Sequence, residues 1–523
     1  MYGVRPHGTL PYGVVPDPAG APTLVSIPFA ITATARFSIH ASTVPFIDVD
    51  DVPAPQAFDG AMTVPLQFDA TAQSDVAVVS GFSSGDGSMT LDNTEGQFNI
   101  LTGAYALDGR DHEVRLGAVG VPFNDWFPVF RGTARSFHVD GRTFSLQLAD
   151  YGHKLDQPLQ PNTYAGTGGV EGGDDLVGKR KPKLFGYCEN VTPVLLSASI
   201  LLYQVHDGAV HDITSVYANG VALVDEGDVA DAATLIAASI TSGRFKTCLA
   251  AGLFRVNYSL DNTVITADVE GDDTGGDFAA TVPDIVRRMA SLRLDDADIY
   301  EPGFAVYAAG AAYEAGYYAD QNATVSVRDA IADMLGAGSF AFFTRMGKLS
   351  IARLVRPTGS PIARLDDTTV ISAERMPLPQ GLSIPPWRWR VAWGRSWTQM
   401  GGNIAGSVGA AKRAFLTEPT RFAVAEAASI KAAHPLSQTR EIAGYLRSEA
   451  AAQAEADRLL ALHRRPGALY RIRLGLKGYR IEQGHTVHIT SSRLRWLANG
   501  KFLFVIERSI DAANRQIEIV GYG

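Results

Sequence analysis

The chain has 523 residues, 46 of them basic and 55 acidic, for a net charge of −9. That balance argues against any global attraction to nucleic acid or an anionic membrane, and the length exceeds one ordinary core, which predicts three or four domains. Two cysteines 60 positions apart, Cys188 and Cys248, with no CxxC, argue against a disulfide framework and a zinc site.

The opening MYGVRPHGTLPYGVVPDPAG has neither a charged segment followed by an apolar core nor a clear cleavage signal, and the longest apolar run, PVLLSASILLYQV from Pro193, is too short to span a bilayer unaided. These features predict a soluble protein made in a reducing cytosol, with no stable membrane insertion. Residues 1–24, rich in Pro and Gly and without periodicity, read as an extended N-terminal arm of the kind that orders on a partner.

Residues 25–160 alternate at period two in short runs, among them MTVPLQFD, GSMTLDN, HEVRLGA, FPVFRGTARSFHV and TFSLQLAD, and VDGRTFSLQL carries the Asp-Gly signal of a tight hairpin. This stretch predicts a β-barrel or sandwich. The glycine-rich YAGTGGVEGGDD that follows lacks the GK[ST] ending of a phosphate loop and reads as a solvated linker. It leads into a second β-rich unit, within residues 161–282.

From 283 to 400 the texture is α+β. VPDIVRRMASL and SVRDAIADMLGA have helical spacing, Ser326 is placed as an N-cap, and GSFAFFTRMGKLSIARL predicts a hairpin turning at Met346 and Gly347. Residues 401–523 contain the best helix of the chain, SEAAAQAEADRLLALHRR from Ser448, then the strands YRIRLGL, HTVHIT, KFLFVIERSI and RQIEIVGYG of a C-terminal β-barrel.

PPWRWRVAWGRSW, residues 385–397, concentrates four of the six tryptophans. At period two, Trp387, Trp389, Val391 and Trp393 fall on one face and Arg388, Arg390 and Ala392 on the other. An amphipathic strand separates rings from charge, whereas a base-stacking surface shows both together, so a packed Trp face and an Arg388/Arg390 face available to a partner are expected. A glycan-binding or glycan-hydrolysing protein, with the Trp-rich strand and an acid pair facing a sugar, stands as the alternative.

Other chemistry-bearing patterns are sparse. His206, Asp207, His211 and Asp212 in HDGAVHD combine imidazole and carboxylate but lack a third cluster, and EGDDTGGD (270–277) departs from the EF-hand ligand order. Both read as polar loops. Acid pairs such as Asp50 with Asp51 and Asp295 with Asp296 need no catalytic explanation in a chain with 55 acids, and no nucleophile elbow, HExxH, Walker loop or dinucleotide fingerprint occurs. The sequons at Asn190, Asn257 and Asn322 have no meaning without a secretory route. No catalytic residue, cofactor or metal is assigned.

The closing segment RIEQGHTVHITSSRLRWLANGKFLFVIERSIDAANRQIEIVGYG resembles the last barrel of baseplate hub, or tail-tip, proteins of long-tailed bacteriophages and gene transfer agents. The matching positions are Gly484 before a short strand, Phe504, Ile506 and Asp511 in the penultimate strand and hairpin, and Gly523 at the end. The order of GSMTLDNTEGQFNIL, FRGTARSF, LADYGHKLDQPLQPNTYAG, ADVEGDDTGGDFAATVPDIVRRM, FFTRMGKLSIARL and EADRLLAL is similar to the first and middle parts of such hubs, so the resemblance runs from about residue 27 to the end.

The resemblance implies a mainly β, multi-domain fold of tail-tube-like β-barrel domains with peripheral α+β insert domains. It also implies a structural protein of the virion baseplate, made in the host cytoplasm. Three copies would form a ring joining a sixfold tail tube to a threefold central tip or fibre. The expected partners are two further copies of the chain, the distal tail or tail-tube protein, the tip or fibre protein and other baseplate proteins, with DNA only passing through the channel. A fused peptidoglycan hydrolase and an iron-sulfur site, found in some relatives, are not matched by residues of this chain.

Overall fold

The computed structural model describes residues 23–30, 36–48, 56–72, 79–102, 106–118, 120–259, 262–357, 359–379, 382–464 and 467–523. The expected N-terminal arm falls outside this set apart from its last two residues, and so do Asp50 and Asp51. Strands make up 41% of the structure and helices 21%, so the protein is mainly β, built from several sheets with α+β elements between them.

The period-two runs form strands where the alternation puts them: Met62–Thr71, Ser84–Asp92, Asp111–Leu116, Phe127–Val139 and Thr143–Ala149. The last two make the expected hairpin. Its turn is closed by the Asp140 carboxylate, which accepts from the N–H groups of Arg142 and Thr143 at 2.8 and 2.6 Å, an arrangement that leaves those two donors satisfied where the ladder ends.

The strands of the β-barrel or sandwich expected over residues 25–160 and of the expected C-terminal β-barrel do not close into separate barrels among the described residues. They build one open 13-stranded sheet in the order 36–42, 23–30, 111–116, 127–139, 143–149, 84–92, 62–71, 501–511, 516–522, 469–474 and 370–376, with 486–489 and 363–365 branching from 501–511. The join is the antiparallel pair Met62–Thr71 with Lys501–Asp511, where Phe68 faces Ile510 and Asp69 faces Ser509. Both strands carry an apolar stripe on the same side, and Phe68 and Ile510 enter one buried cluster with Leu146, Leu148, Ile472 and Ile519. Residues 67–70 of Met62–Thr71 use their second edge for this pairing, so that part of the strand does not close a barrel with the first half. Among the described residues the rims of the first half meet at a bridge between Ala41 and Asp59, with the Ser42 N–H donating to the Asp59 carbonyl at 2.6 Å.

Two glycines of the neighbouring strand Ser84–Asp92, Gly85 and Gly87, leave room for Phe68. A Cβ on Gly85 would lie 2.2 Å from the Phe68 ring, so the ring lies directly over the neighbouring backbone.

The second unit stacks two five-stranded sheets, one ordered 221–222, 210–218, 265–272, 183–191, 316–319 and the other 194–197, 202–204, 253–257, 244–248, 224–228. Gly316–Ala319 comes from beyond residue 283 to supply an edge. The glycine-rich stretch before this unit is an ordered loop rather than a solvated linker. Tyr164 and Leu176 are buried among Leu202 and Leu253, the Tyr164 hydroxyl donates to Gln204 at 2.5 Å, and Lys181 pairs with Glu171 at 2.6 Å. Two apolar anchors among the glycines are enough to hold it down.

The helices Val282–Ala290 and Val327–Leu335 form as expected, the first with a Thr281/Asp284 capping box and the second with Ser326 accepting the Asp329 N–H at 3.0 Å. A further helix, Glu301–Ala311, is apolar on its outer side, with Val306 77% exposed, and so lacks the amphipathic spacing by which helices are read from sequence. The hairpin Ser339–Phe343 with Leu349–Arg353 turns at Gly347, whose φ of +70° suits glycine. It pairs in parallel with Gly81–Phe82 of the first half. The helix Glu449–His463 starts at the Ser448 cap and packs on the tryptophan-bearing sheet.

Candidate functional site

The tryptophan-rich stretch is the central strand, Arg388–Trp393, of a three-stranded sheet between Arg421–Glu426 and Thr439–Leu446. The alternation holds for Trp389 and Val391, which are buried, and for Arg388 and Arg390, which are half-exposed, but Ala392 is buried as well, and Trp387 and Trp393 are only half-buried, with Trp387 under the Arg388 guanidinium. Trp389 is fully buried and stacks on His463 of the helix behind, with ring centroids 5.2 Å apart. Burial, with the Arg458 and Arg356 charges adding to it, pushes the His463 imidazole down to about 3. On the outward face Arg388 pairs with Glu426 at 2.5 Å and Arg390 with Glu441 at 3.1 Å, while their guanidinium groups lie over the rings of Trp387 and Phe422. Both arginines already have anionic and aromatic partners within the sheet, so this face is a neutral ladder rather than a basic platform.

HDGAVHD and EGDDTGGD, distant in sequence, are brought together by the pairing of Val210–Ala218 with Ile265–Asp272, which sets Val210 opposite Asp272 and Asp212 opposite Glu270. His206 is buried; its Nδ1 accepts the Leu184 N–H at 2.9 Å, which leaves the proton of the neutral ring on Nε2, 3.3 Å from the Asp272 carboxylate. Arg288 donates to Asp272 at 2.5 Å and the Thr274 N–H does so at 3.1 Å. Burial pushes Asp272 up, but the His206 contact, the Thr274 N–H and the Arg288 charge outweigh it and hold the carboxyl below its ordinary range. Burial holds His206 below its own range despite the Asp272 hydrogen bond. The result is a buried neutral imidazole beside a paired carboxylate.

His211 lies nearer the surface, 3.4 Å from Asp273 and 3.8 Å from Glu270, and stacks on Phe278. Asp207 accepts the Asn162 amide at 2.9 Å and Asp212 lies on the sheet. Among the described residues no group of three or more His, Cys, Asp or Glu side chains has the geometry to hold a metal ion. Asp295 and Asp296 are exposed at a short turn where Asp296 pairs with Arg287 at 3.2 Å. Arg288, which completes the buried array, escaped sequence reading because it stands as one more polar residue on an amphipathic helix.

The most extensive functional candidate is one face of the joined sheet. A row of polar side chains crosses six strands in register: Ser136, Gln147, Ser88, Gln67, Asp511 and Gln516. A second row runs Asp86, Asp69, Ser509, Glu518, Arg473 and Ser372. These residues are exposed or half-buried, while Leu146, Met89, Phe68, Ile510, Ile519 and Ile472 point into the core from the other face. Burial, then repulsion from Glu518, raises Asp69; burial and Glu518 raise Glu507 although Arg471 opposes them. Chemically this is a wide hydrophilic wall with closely spaced carboxylates.

No protein-family model matches the chain, and no curated protein matches it. Solved structures similar to it include the tail protein from Neisseria meningitidis MC58, with 12% identity, a TM-score of 0.38 and 96% of each chain covered. The 43 kDa tail protein of prophage MuSo2 from Shewanella oneidensis has 8% identity, a TM-score of 0.38 and again 96% of each chain covered. A chain in the virion of a native gene transfer agent particle has 12% identity and a TM-score of 0.41, with 71% of this chain and 91% of that chain covered.

Proposed function

We propose that the chain is a structural component of a phage-type tail, the central hub of its baseplate or tail tip, and that the polar face of the joined sheet lines part of the channel through which DNA leaves. The observation that carries this reading is the two-faced sheet itself. It is assembled from the two ends of the chain, buries one face in the core and leaves the other as a broad, polar, acid-bearing surface. A wall past which DNA must slide should hydrate well and hold no row of unopposed cations; here Arg473 stands opposite Glu518 at 3.1 Å and Arg135 reaches Asp86 at 2.8 Å.

In this reading three copies form the ring, the tail-tube protein docks on one side, the central tip or fibre on the other, and further baseplate proteins outside. The protein performs no reaction and takes no cofactor. Its place is in the virion.

Electron microscopy of the concentrated purified protein tests the proposal. Class averages with threefold rings, whether the centre is open or plugged, are the expected result. Single-copy particles that stay single after addition of the tail-tube and tip proteins would overturn it. A saturable change in tryptophan fluorescence with oligosaccharides would favour the glycan reading instead, an outcome that the burial of Trp389 argues against.

A further inference from the structure

The buried junction around Glu482 carries more positive charge than negative. Glu482 and Arg508 are 8% and 5% exposed. Arg345, at the tip of the hairpin Ser339–Phe343 with Leu349–Arg353, pairs through its guanidinium with the Glu482 carboxylate, and its backbone N–H donates to the same carboxylate at 3.3 Å. His485 brings no charge: its Nδ1 accepts the Glu482 N–H at 3.0 Å, so the neutral ring keeps its proton on Nε2.

Arg508 stands on the joining strand opposite Ala70 and, among the described residues, makes one long side-chain hydrogen bond, from Nη2 to the Tyr479 carbonyl at 3.4 Å. No carboxylate of the described residues forms an ion pair with it. The Nε groups of both Arg508 and Arg345 are buried without an acceptor. The groups whose charge acts on Arg508 are Glu482, Arg345 and the Tyr479 phenol. Burial pushes the Arg508 guanidinium down to about 10, with Arg345 adding to the effect and Glu482 opposing it, so it remains a cation at neutral pH. Arg345 thus pairs with Glu482, while Arg508, on the strand whose Ile506 carbonyl accepts the Gln483 amide at 2.8 Å, adds a second guanidinium near that pair, and a buried cation with an unpartnered Nε is costly unless an anion meets it.

We propose that Arg508 and Arg345 together bind one small monovalent anion, of the chloride class, beside Glu482. One negative charge neutralises the surplus, whereas a doubly charged oxyanion would exceed it next to the Glu482 carboxylate. Arg345, with a side chain 23% exposed, is the side from which the anion enters. Bound there, the anion braces the strand that joins the two halves of the large sheet.

The test is thermal unfolding of the full chain in sodium chloride against sodium gluconate at constant ionic strength. The expected result is a saturable rise in Tm with chloride, of about 1–2 °C, that is lost in both Arg508→Met and Arg345→Gln. If Arg508→Met fails to fold, Arg345→Gln decides. A wild-type protein indifferent to the choice of anion overturns the proposal, and so does a chloride response that survives in the folded variants. Chloride-35 line broadening that bromide competes away in the wild type, and that the variants lack, is the independent expected readout; its absence from the wild type overturns the proposal too.

Discussion

Ser509 donates its hydroxyl to the carboxylate of Asp69 across 440 positions of sequence, on facing positions of the two strands that join the first half of the chain to the last. The contact lies on the exposed face of the sheet; directly behind it, Phe68 and Ile510 share the buried cluster. The two faces of this join have different energetic weight. An exposed hydroxyl–carboxylate pair contributes little, because water competes for both groups, while the apolar face supplies the burial that keeps the halves together.

That difference is measurable. Phe68→Ala is expected to cost about 3–5 kcal/mol, as removal of a buried aromatic ring does, and Gly85→Val should be comparably damaging because the new side chain would enter the space of the Phe68 ring. Asp69→Asn on the opposite face should stay within about 0.5 kcal/mol of the wild type. Urea midpoints of the three variants check the ranking, which fails if Asp69→Asn is the most harmful.

The tryptophan strand gives a second contrast. Trp389→Ala should destabilise by about 3–5 kcal/mol through loss of the buried stack on His463. Arg388→Ala and Arg390→Ala together should cost under about 1–2 kcal/mol, since each loses a half-exposed ion pair and one ring contact. Fluorescence titration with oligonucleotides or oligosaccharides should leave the wild-type spectrum unchanged. A saturable response abolished by Trp389→Ala would instead require the strand to open.

How much of this was legible in the sequence depends on the range of the interaction. Strands such as Phe127–Val139 and helices such as Glu449–His463 are set by local alternation and by caps such as Ser448, and they stand where those signals put them. The Trp389/Arg390 division of faces was readable for the same reason. The join of Met62–Thr71 to Lys501–Asp511 was not, because an apolar stripe says that a strand wants a covered face but does not say which strand will lie along its edge. His206 and Asp272 met the same limit: each motif looked incomplete alone, and the pairing of Val210–Ala218 with Ile265–Asp272 brings the two together. Glu301–Ala311 escaped because its outer face is apolar, the opposite of the pattern that marks a surface helix.

Charge reversal tests the proposed channel wall. Asp69→Lys, Asp511→Lys and Glu518→Lys in one chain alter exposed or half-exposed positions on the polar face and should leave the fold intact. Duplex DNA should bind this variant with an affinity that falls steeply as salt rises, in contrast to the wild type, because each lysine that meets a phosphate releases a counterion. In particles carrying the variant, DNA release should slow at low salt and recover at high salt. Unchanged release at every salt concentration would mean that this face does not line the path.

Acid should weaken the protein through its buried histidines. Burial pushes His112 down to about 4 and His463 to about 3, and it lowers His206 and His485 as well, with neighbouring carboxylates partly opposing it at His112, His206 and His485. In the unfolded chain each imidazole titrates near its ordinary value of about 6.5. As the pH falls below that value the unfolded state takes up protons that the folded state refuses, so stability drops with falling pH until the folded-state values, about 4 for His112 and about 3 for His463, are reached. Each such histidine contributes a slope of about 1.4 kcal/mol per pH unit within that window. His463→Phe keeps an aromatic ring against Trp389 but cannot be protonated, so its urea midpoint should fall less between pH 6 and pH 4 than that of the wild type. Equal pH dependence in the two proteins would mean that His463 is already exposed to protons in the folded state, and the stack on Trp389 would have to be looser than its 5.2 Å spacing indicates.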